Sequence, residues 1–127
     1  MGVESDRELL ELAAKAAGRP IHDWNGGWPV EYVEHWSGSP NEPPEQEVVY
    51  WNPLEDDGDA LRLAVTLGLT VECDFHDSDT CAAYQTRGEI VADEQSGMLG
   101  EVIGSPEFAA TRRAIVRAAA EIGRAMP

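Results

Sequence analysis

Basic residues are the first scarcity in this chain: nine Lys and Arg stand against 24 Asp and Glu, for a formal net charge of −15. Charge of that sign repels nucleic-acid phosphates and anionic lipid and speeds encounter with a basic partner, so neither nucleic acid nor a membrane surface is expected to bind. Cysteine is scarce too. Cys73 and Cys81 are too few, and stand in no CxxC pattern, for a disulfide scaffold. No apolar run approaches the roughly 18 residues of a membrane span, and acids occupy the N-terminus where a signal peptide carries basic and apolar residues. The chain reads as cytoplasmic. Catalytic signatures are missing as well: there is no Gly-rich phosphate loop, no GxSxG and no HExxH, and the three His are scattered. Neither an enzyme nor a cofactor is expected.

What is present fits one domain, residues 1–127, with 43% hydrophobic content and a single core. The chain is organised around residues 51–69, WNPLEDDGDALRLAVTLGL. Asn52, Pro53 and Glu55 have the spacing of a helix start, and Asp56 and Asp57 offer a second cap. Ala60, Leu61, Ala64, Val65 and Leu67 follow at helical spacing, and Gly68 supplies a left-handed stop. A calcium loop on DDGD fails on spacing. With Gly58 sixth, the first position is Pro53 and the twelfth, where a bidentate Glu belongs, is Ala64.

Before this stretch, Ser5 and Glu8 form a capping box for a helix ending at Gly18, with Leu9, Leu10, Leu12, Ala13, Ala16 and Ala17 as the face expected to pack on a sheet. Asn25-Gly26-Gly27 is turn chemistry between extended segments. Residues 30–36 and 47–51 read as strands, and residues 37–46, with three prolines, as a mobile surface loop. After it, Leu69, Val71, Cys73 and Phe75 alternate with Thr70, Glu72 and Asp74 in the cleanest period-two pattern of the chain. Residues 80–87 return antiparallel, and residues 89–93 add a short strand. Ser105 and Pro106 start the last helix, on which Phe108, Thr111, Ile115, Ala118 or Ala119, Ile122 and Met126 share a face.

Two chemistries are conceivable on these elements. Cys73, His76 and Cys81 form a C-x2-H-x4-C run, but a structural zinc needs four ligands and the strand alternation turns Cys73 inward and His76 outward, so buried thiols and no metal are expected. The second is charge. Four arginines against two glutamates give +2 after Ser105, which leaves −17 on residues 1–104. The arginines are expected to pair internally, four being weak beside that field.

The sum is an α+β fold, an antiparallel sheet of four to five strands layered with three helices in the order α-β-β-α-β-β-α. The segments RELLELAAKAAG, WNPLEDDGDALRLAV and ATRRAIVRAAAEIGRA, with aromatic-rich strands between, resemble a group of small bacteriophage and prophage proteins described by the phage ABA sandwich domain. The resemblance covers nearly the whole chain, and the Pro-rich loop departs from it as an insertion. It implies a helix/sheet/helix layered fold and a phage origin, and carries no activity or catalytic residue to transfer.

The expected function is therefore that of an acidic, non-enzymatic phage or prophage accessory protein that binds a basic surface on a host protein, as a counter-defence inhibitor or nucleic-acid mimic would. Its candidate contacts are Glu55, Asp56, Asp57 and Asp59, then Glu72 and Asp74 on the wetter strand face, and Trp24 and Trp28 as aromatic anchors. The alternatives are an assembly subunit of a phage or homo-oligomer, and a small enzyme with an unrecognised site. The plainer reading of the acids is a solvated surface.

Overall fold

The computed structural model describes residues 5–76, 80–85, 91–95 and 106–127, the last strand by its backbone. Its elements are α1 (Asp6–Ala17), β1 (Asp23–Asn25), β2 (Trp28–His35), β3 (Glu45–Tyr50), α2 (Asp57–Leu67), β4 (Leu69–Asp74), β5 (Thr80–Gln85), β6 (Val91–Gln95) and α3 (Pro106–Ala125). The α+β class, the three helices and the antiparallel pairing agree with the sequence pattern. The strands do not form one sheet. They form two separate three-stranded sheets, β1-β2-β3 and β4-β5-β6.

The last helix is the centre of the body. Ala110, Ala114, Ile115, Val116, Ala118, Ala119, Ala120 and Gly123 of α3 are all buried, and Arg117, Glu121 and Arg124 keep a strip in solvent. So broad a buried face means that α3 has neighbours on several sides. It lies between α1 and the second sheet, with α2 alongside. Small side chains permit this, because they let backbones approach. A Cβ on Gly123 would lie 2.9 Å from the Leu12 carbonyl carbon and still closer to its oxygen. Helix α1 therefore packs on α3 and not on a sheet, through Leu9, Leu10, Ala13 and Ala14. Its two ends are tied down by Arg113 to Asp6 at 3.1 Å and by Lys15 Nζ donating to the Met126 carbonyl at 3.0 Å.

Helix α1 starts and stops as its sequence dictates. Ser5 accepts from the Glu8 N–H, and Gly18 closes the helix at φ 67°. Helix α2 is capped by Asp56, whose side chain accepts from the Asp59 N–H, and not by Asn52. Asn52 instead closes the preceding turn, its Oδ1 accepting from the Leu54 N–H at 3.0 Å. Asp59 then turns inward, so α2 buries the stripe Asp59, Ala60, Leu63 and Ala64. Leu61 and Val65, expected in the core, are 64% and 72% exposed for that reason. On α3, Phe108 and Met126 are likewise exposed, because they sit in the first turn and beyond the last one. Ser105, the expected cap of α3, lies outside the described residues.

The hairpin register places Leu69, Val71 and Cys73 on one face with Cys81, Ala83 and Gln85. That face meets α3. Cys81 and Ala83 are buried there, whereas Cys73 is exposed, contrary to the expectation of two buried thiols. Its Sγ lies 3.8 Å from Thr111 Oγ1, but a cavity of about 380 Å³ between α2, β4 and α3 opens beside it. The Pro-rich connection is shorter than its composition suggests, since Glu45 and Gln46 already pair with His35 and Glu34.

Candidate functional site

The two sheets differ in how they meet the helices. The second lies against α3, whereas β1, β2 and β3 associate chiefly with one another and touch the helical body at their base. There Arg7 stacks over Trp24 at 4.6 Å and Arg19 over Trp51 at 5.3 Å, while Arg19 also reaches Glu31 at 3.4 Å. Backbone bonds from His22 N to the Val30 carbonyl and from Trp51 N to the Pro29 carbonyl fasten the same end. Away from it the β2–β3 hairpin extends into solvent. Glu34, His35, Trp36, Glu45, Gln46, Glu47 and Val48 are all exposed.

This arm is one-signed. Residues 22–50 hold Asp23, Glu31, Glu34, Glu42, Glu45 and Glu47 and neither Lys nor Arg. Register puts Glu45 and Glu47 on one face with His35, whose Nε2 lies 2.6 Å from Glu47 Oε2. The other face carries Tyr32, Val48 and Tyr50. At the strand end Trp36 is 68% exposed, with Val48 at 47% and Tyr50 at 48%. Large apolar groups held in water among carboxylates mark surfaces that recognise partners more often than they occur by chance. Asp23 keeps its charge firmly. It accepts from the Trp24 N–H and from the Tyr32 phenol, which together hold its carboxyl below the usual range.

The acids expected to make contacts are placed very differently from one another. Asp59 is buried and structural: it accepts from the Asn52 N–H at 2.9 Å and from Arg62 at 2.7 Å. Asp56 is the helix cap, and Asp57 is paired with Arg112 at 2.6 Å. All three carboxylates have partners within the chain, but only Asp59 is buried; the Asp56 and Asp57 side chains remain open to solvent. Glu72 accepts from the Tyr84 phenol on the outer face of the second sheet, where Asp74 is also exposed. The structure does bring Glu55, Trp24 and Trp28 together. With Asp6, Arg7 and Leu10 they line a cleft of about 260 Å³ at the base of the arm. Trp24 and Trp28 are each half-buried there, and Arg7 covers one face of Trp24.

The arginines of α3 pair as their surroundings demand: Arg112 with Asp57, Arg113 with Asp6 and Arg124 with Glu121. No group of three or more His, Cys, Asp or Glu among the described residues could hold a metal ion. In the DDGD segment the reason is visible, since Asp56 and Asp59 aim at backbone N–H groups and Arg62. Among the described residues no helix is long and apolar enough to cross a membrane.

The arm is not among the contacts expected from the sequence, in which residues 30–36 and 47–51 read only as strands; the signal for it is the stretch 22–50, which holds neither Lys nor Arg. No protein-family model, curated protein or solved structure matches the chain.

Proposed function

We propose that this protein is a non-catalytic binding protein that presents the β1–β3 arm to a basic surface of another protein. The observation that carries this reading is the coincidence, on the β1–β3 arm and its β2–β3 connection, of six carboxylates, of which Glu31 pairs with Arg19 at the base, no Lys or Arg within residues 22–50, and the exposed Trp36, Val48 and Tyr50. The carboxylates raise the rate of encounter with a positive surface over distances of about a Debye length, ~8 Å at physiological salt. The rings then supply the short-range part. An exposed Trp entering a pocket contributes far more than a rim carboxylate, and the two together give both selectivity and residence. In the phage or prophage setting that the family resemblance implies, the partner is a host protein whose basic surface normally meets nucleic acid, and the arm acts as an inhibitor or mimic.

The test compares the wild-type protein with a triple arm variant, Trp36→Ala, Glu45→Lys, Glu47→Lys, as baits in bacterial lysate. The expected result is a partner captured at low salt, released at higher salt, and not captured by the variant. Capture that is unchanged by the variant, or indifferent to salt, refutes the proposal. Light scattering of both proteins covers the assembly reading: a wild-type oligomer that Trp36→Ala converts to monomer assigns the arm to self-association.

A further inference from the structure

The pairing of β4 with β5 sets Cys73 directly opposite Cys81. Opposed residues of an antiparallel pair project to the same face, here the face under α3, with Cα atoms about 4.5 to 5.5 Å apart. A disulfide spans Cα separations of about 4.4 to 6.8 Å, so the backbone already stands within bonding range. The two thiols differ in access. Cys81 is 2% exposed, whereas Cys73 is exposed and lines the open cavity between α2, β4 and α3.

We infer that Cys73 and Cys81 form a dithiol site that reacts with low-molecular-weight disulfides and closes reversibly into a cross-strand disulfide. The accessible Cys73 is the attacking group. Its thiolate displaces one half of the small disulfide, forming a mixed disulfide and releasing one small thiolate. Cys81, deprotonated in turn, attacks Cys73 Sγ; the Sγ–Sγ bond forms and the second small thiolate leaves. The two protons lost by the protein end on the two released thiols, and the protein is oxidised by two electrons as the small disulfide is reduced by two. Cβ atoms of opposed strand residues lie about 4.5 to 5.5 Å apart, wider than the ~3.8 Å of a relaxed disulfide. Closure therefore strains the hairpin slightly, and a strained bond is readily reduced, which makes the reaction a reversible one.

Closure has a local consequence. Drawing Cys73 Sγ toward Cys81 takes it from Thr111 on α3, so the floor of the cavity changes shape. This site is on the opposite sheet from the arm and stands or falls independently of it.

The experiment exposes the folded full-length protein to oxidised glutathione and then determines intact mass and alkylatable thiols after denaturation. The expected outcome is a monomer lighter by two hydrogens, with its alkylatable thiols falling from two to none and both restored by dithiothreitol. Cys81→Ser, or Cys81→Ala if a hydroxyl is not tolerated in the buried position, is expected to stop at one glutathione adduct on Cys73. A lasting glutathione adduct on Cys73 of the wild-type protein overturns the inference, because Cys81 is then out of reach. So does thiol loss only through dimers, or survival of both thiols under conditions that oxidise the unfolded chain.

Discussion

Replacing Gly123 with alanine puts one methyl group where α3 meets the backbone of α1. Two effects oppose each other. In an isolated helix, alanine is favoured over glycine by about 1 kcal/mol, so propensity alone predicts a more stable protein. At this position the added Cβ would lie 2.9 Å from the Leu12 carbonyl carbon and closer still to its oxygen, and both belong to backbone. No rotamer change relieves that, so α1 must move away from α3. Overpacking of this kind costs about 1 to 3 kcal/mol, and the upper end applies because Leu9, Leu10, Ala13 and Ala14 are displaced together. The net loss is about 2 kcal/mol. For a domain of this size that lowers the melting temperature by roughly 8 °C, at about 4 °C per kcal/mol. Thermal and urea unfolding followed by circular dichroism measure it. Gly58→Ala is the comparator, since its Cβ would meet no backbone, only the ends of the Arg62 and Asp56 side chains at 3.2 Å; crowding of the Asp56 cap opposes the helix preference of about 1 kcal/mol, so a smaller loss than at Gly123 is expected there. A Gly123→Ala protein as stable as wild type, or more so, would show that α1 and α3 do not approach as described.

Three further outcomes follow from the polar contacts. Asp59→Ala strands the buried Asn52 N–H and releases Arg62, and should cost about 2 to 3 kcal/mol in urea unfolding, whereas Glu55→Ala, in the exposed neighbour, should stay within about 0.5 kcal/mol. The Tyr84 phenol donates to Glu72, which raises its pKa above the ordinary value. A raised folded-state value means that this contact contributes fully below about pH 10 and is lost as pH climbs through the folded-state value. Phenolate absorbance should show Glu72→Gln bringing the Tyr84 titration down; an unchanged titration removes the contact as its cause. Asp23 has the opposite sign, its carboxyl being held low by the Trp24 N–H and then by Tyr32. Its contribution is present above the usual carboxylate value and fades as pH falls through the lowered one, and Tyr32→Phe should shift the Asp23 midpoint upward in an NMR titration.

Local signals in the sequence carried most of the fold. Ser5, Gly18 and Gly68 specify helix ends through groups within four residues of themselves, and the observed caps sit on them. The alternation of residues 69–75 likewise matches the strand β4, whose Leu69, Val71 and Cys73 share the face toward α3, although none of them is fully buried. What could not be read locally was which helix face wins when two contacts compete. Asp59 looked like one more exposed acid, and only the distant-in-space Asn52 N–H reveals that it turns inward and carries Ala60 and Leu63 with it. The period of alanine-rich α3 shows one apolar face and not the burial on several sides that it has, because a methyl group has little hydrophobicity of its own and its value is the closeness it allows. The candidate site followed that division. Glu55, Trp24 and Trp28 do meet in one cleft, but the projecting arm depends on which sheet the helices leave uncovered, a property no single segment contains.

The position of α3 in the chain sets a timetable for folding. Among the described elements, the helix that fills the centre of the body follows all the others in the chain, and the element it contacts most, α1, precedes them, with residues tied across more than a hundred positions, as in Arg113 to Asp6. Until α3 has been made, the twelve residues of α1 lack the surface against which Leu9 and Leu10 are buried, and a helix of that length is marginal in water on its own. Both hairpins, by contrast, close on neighbours only a few residues away. The pairing of α1 with α3 therefore carries a far larger loop-closure cost than either hairpin does. Loss of the final turns of α3 removes Gly123 and the Met126 carbonyl that holds Lys15, and with them the docking of α1.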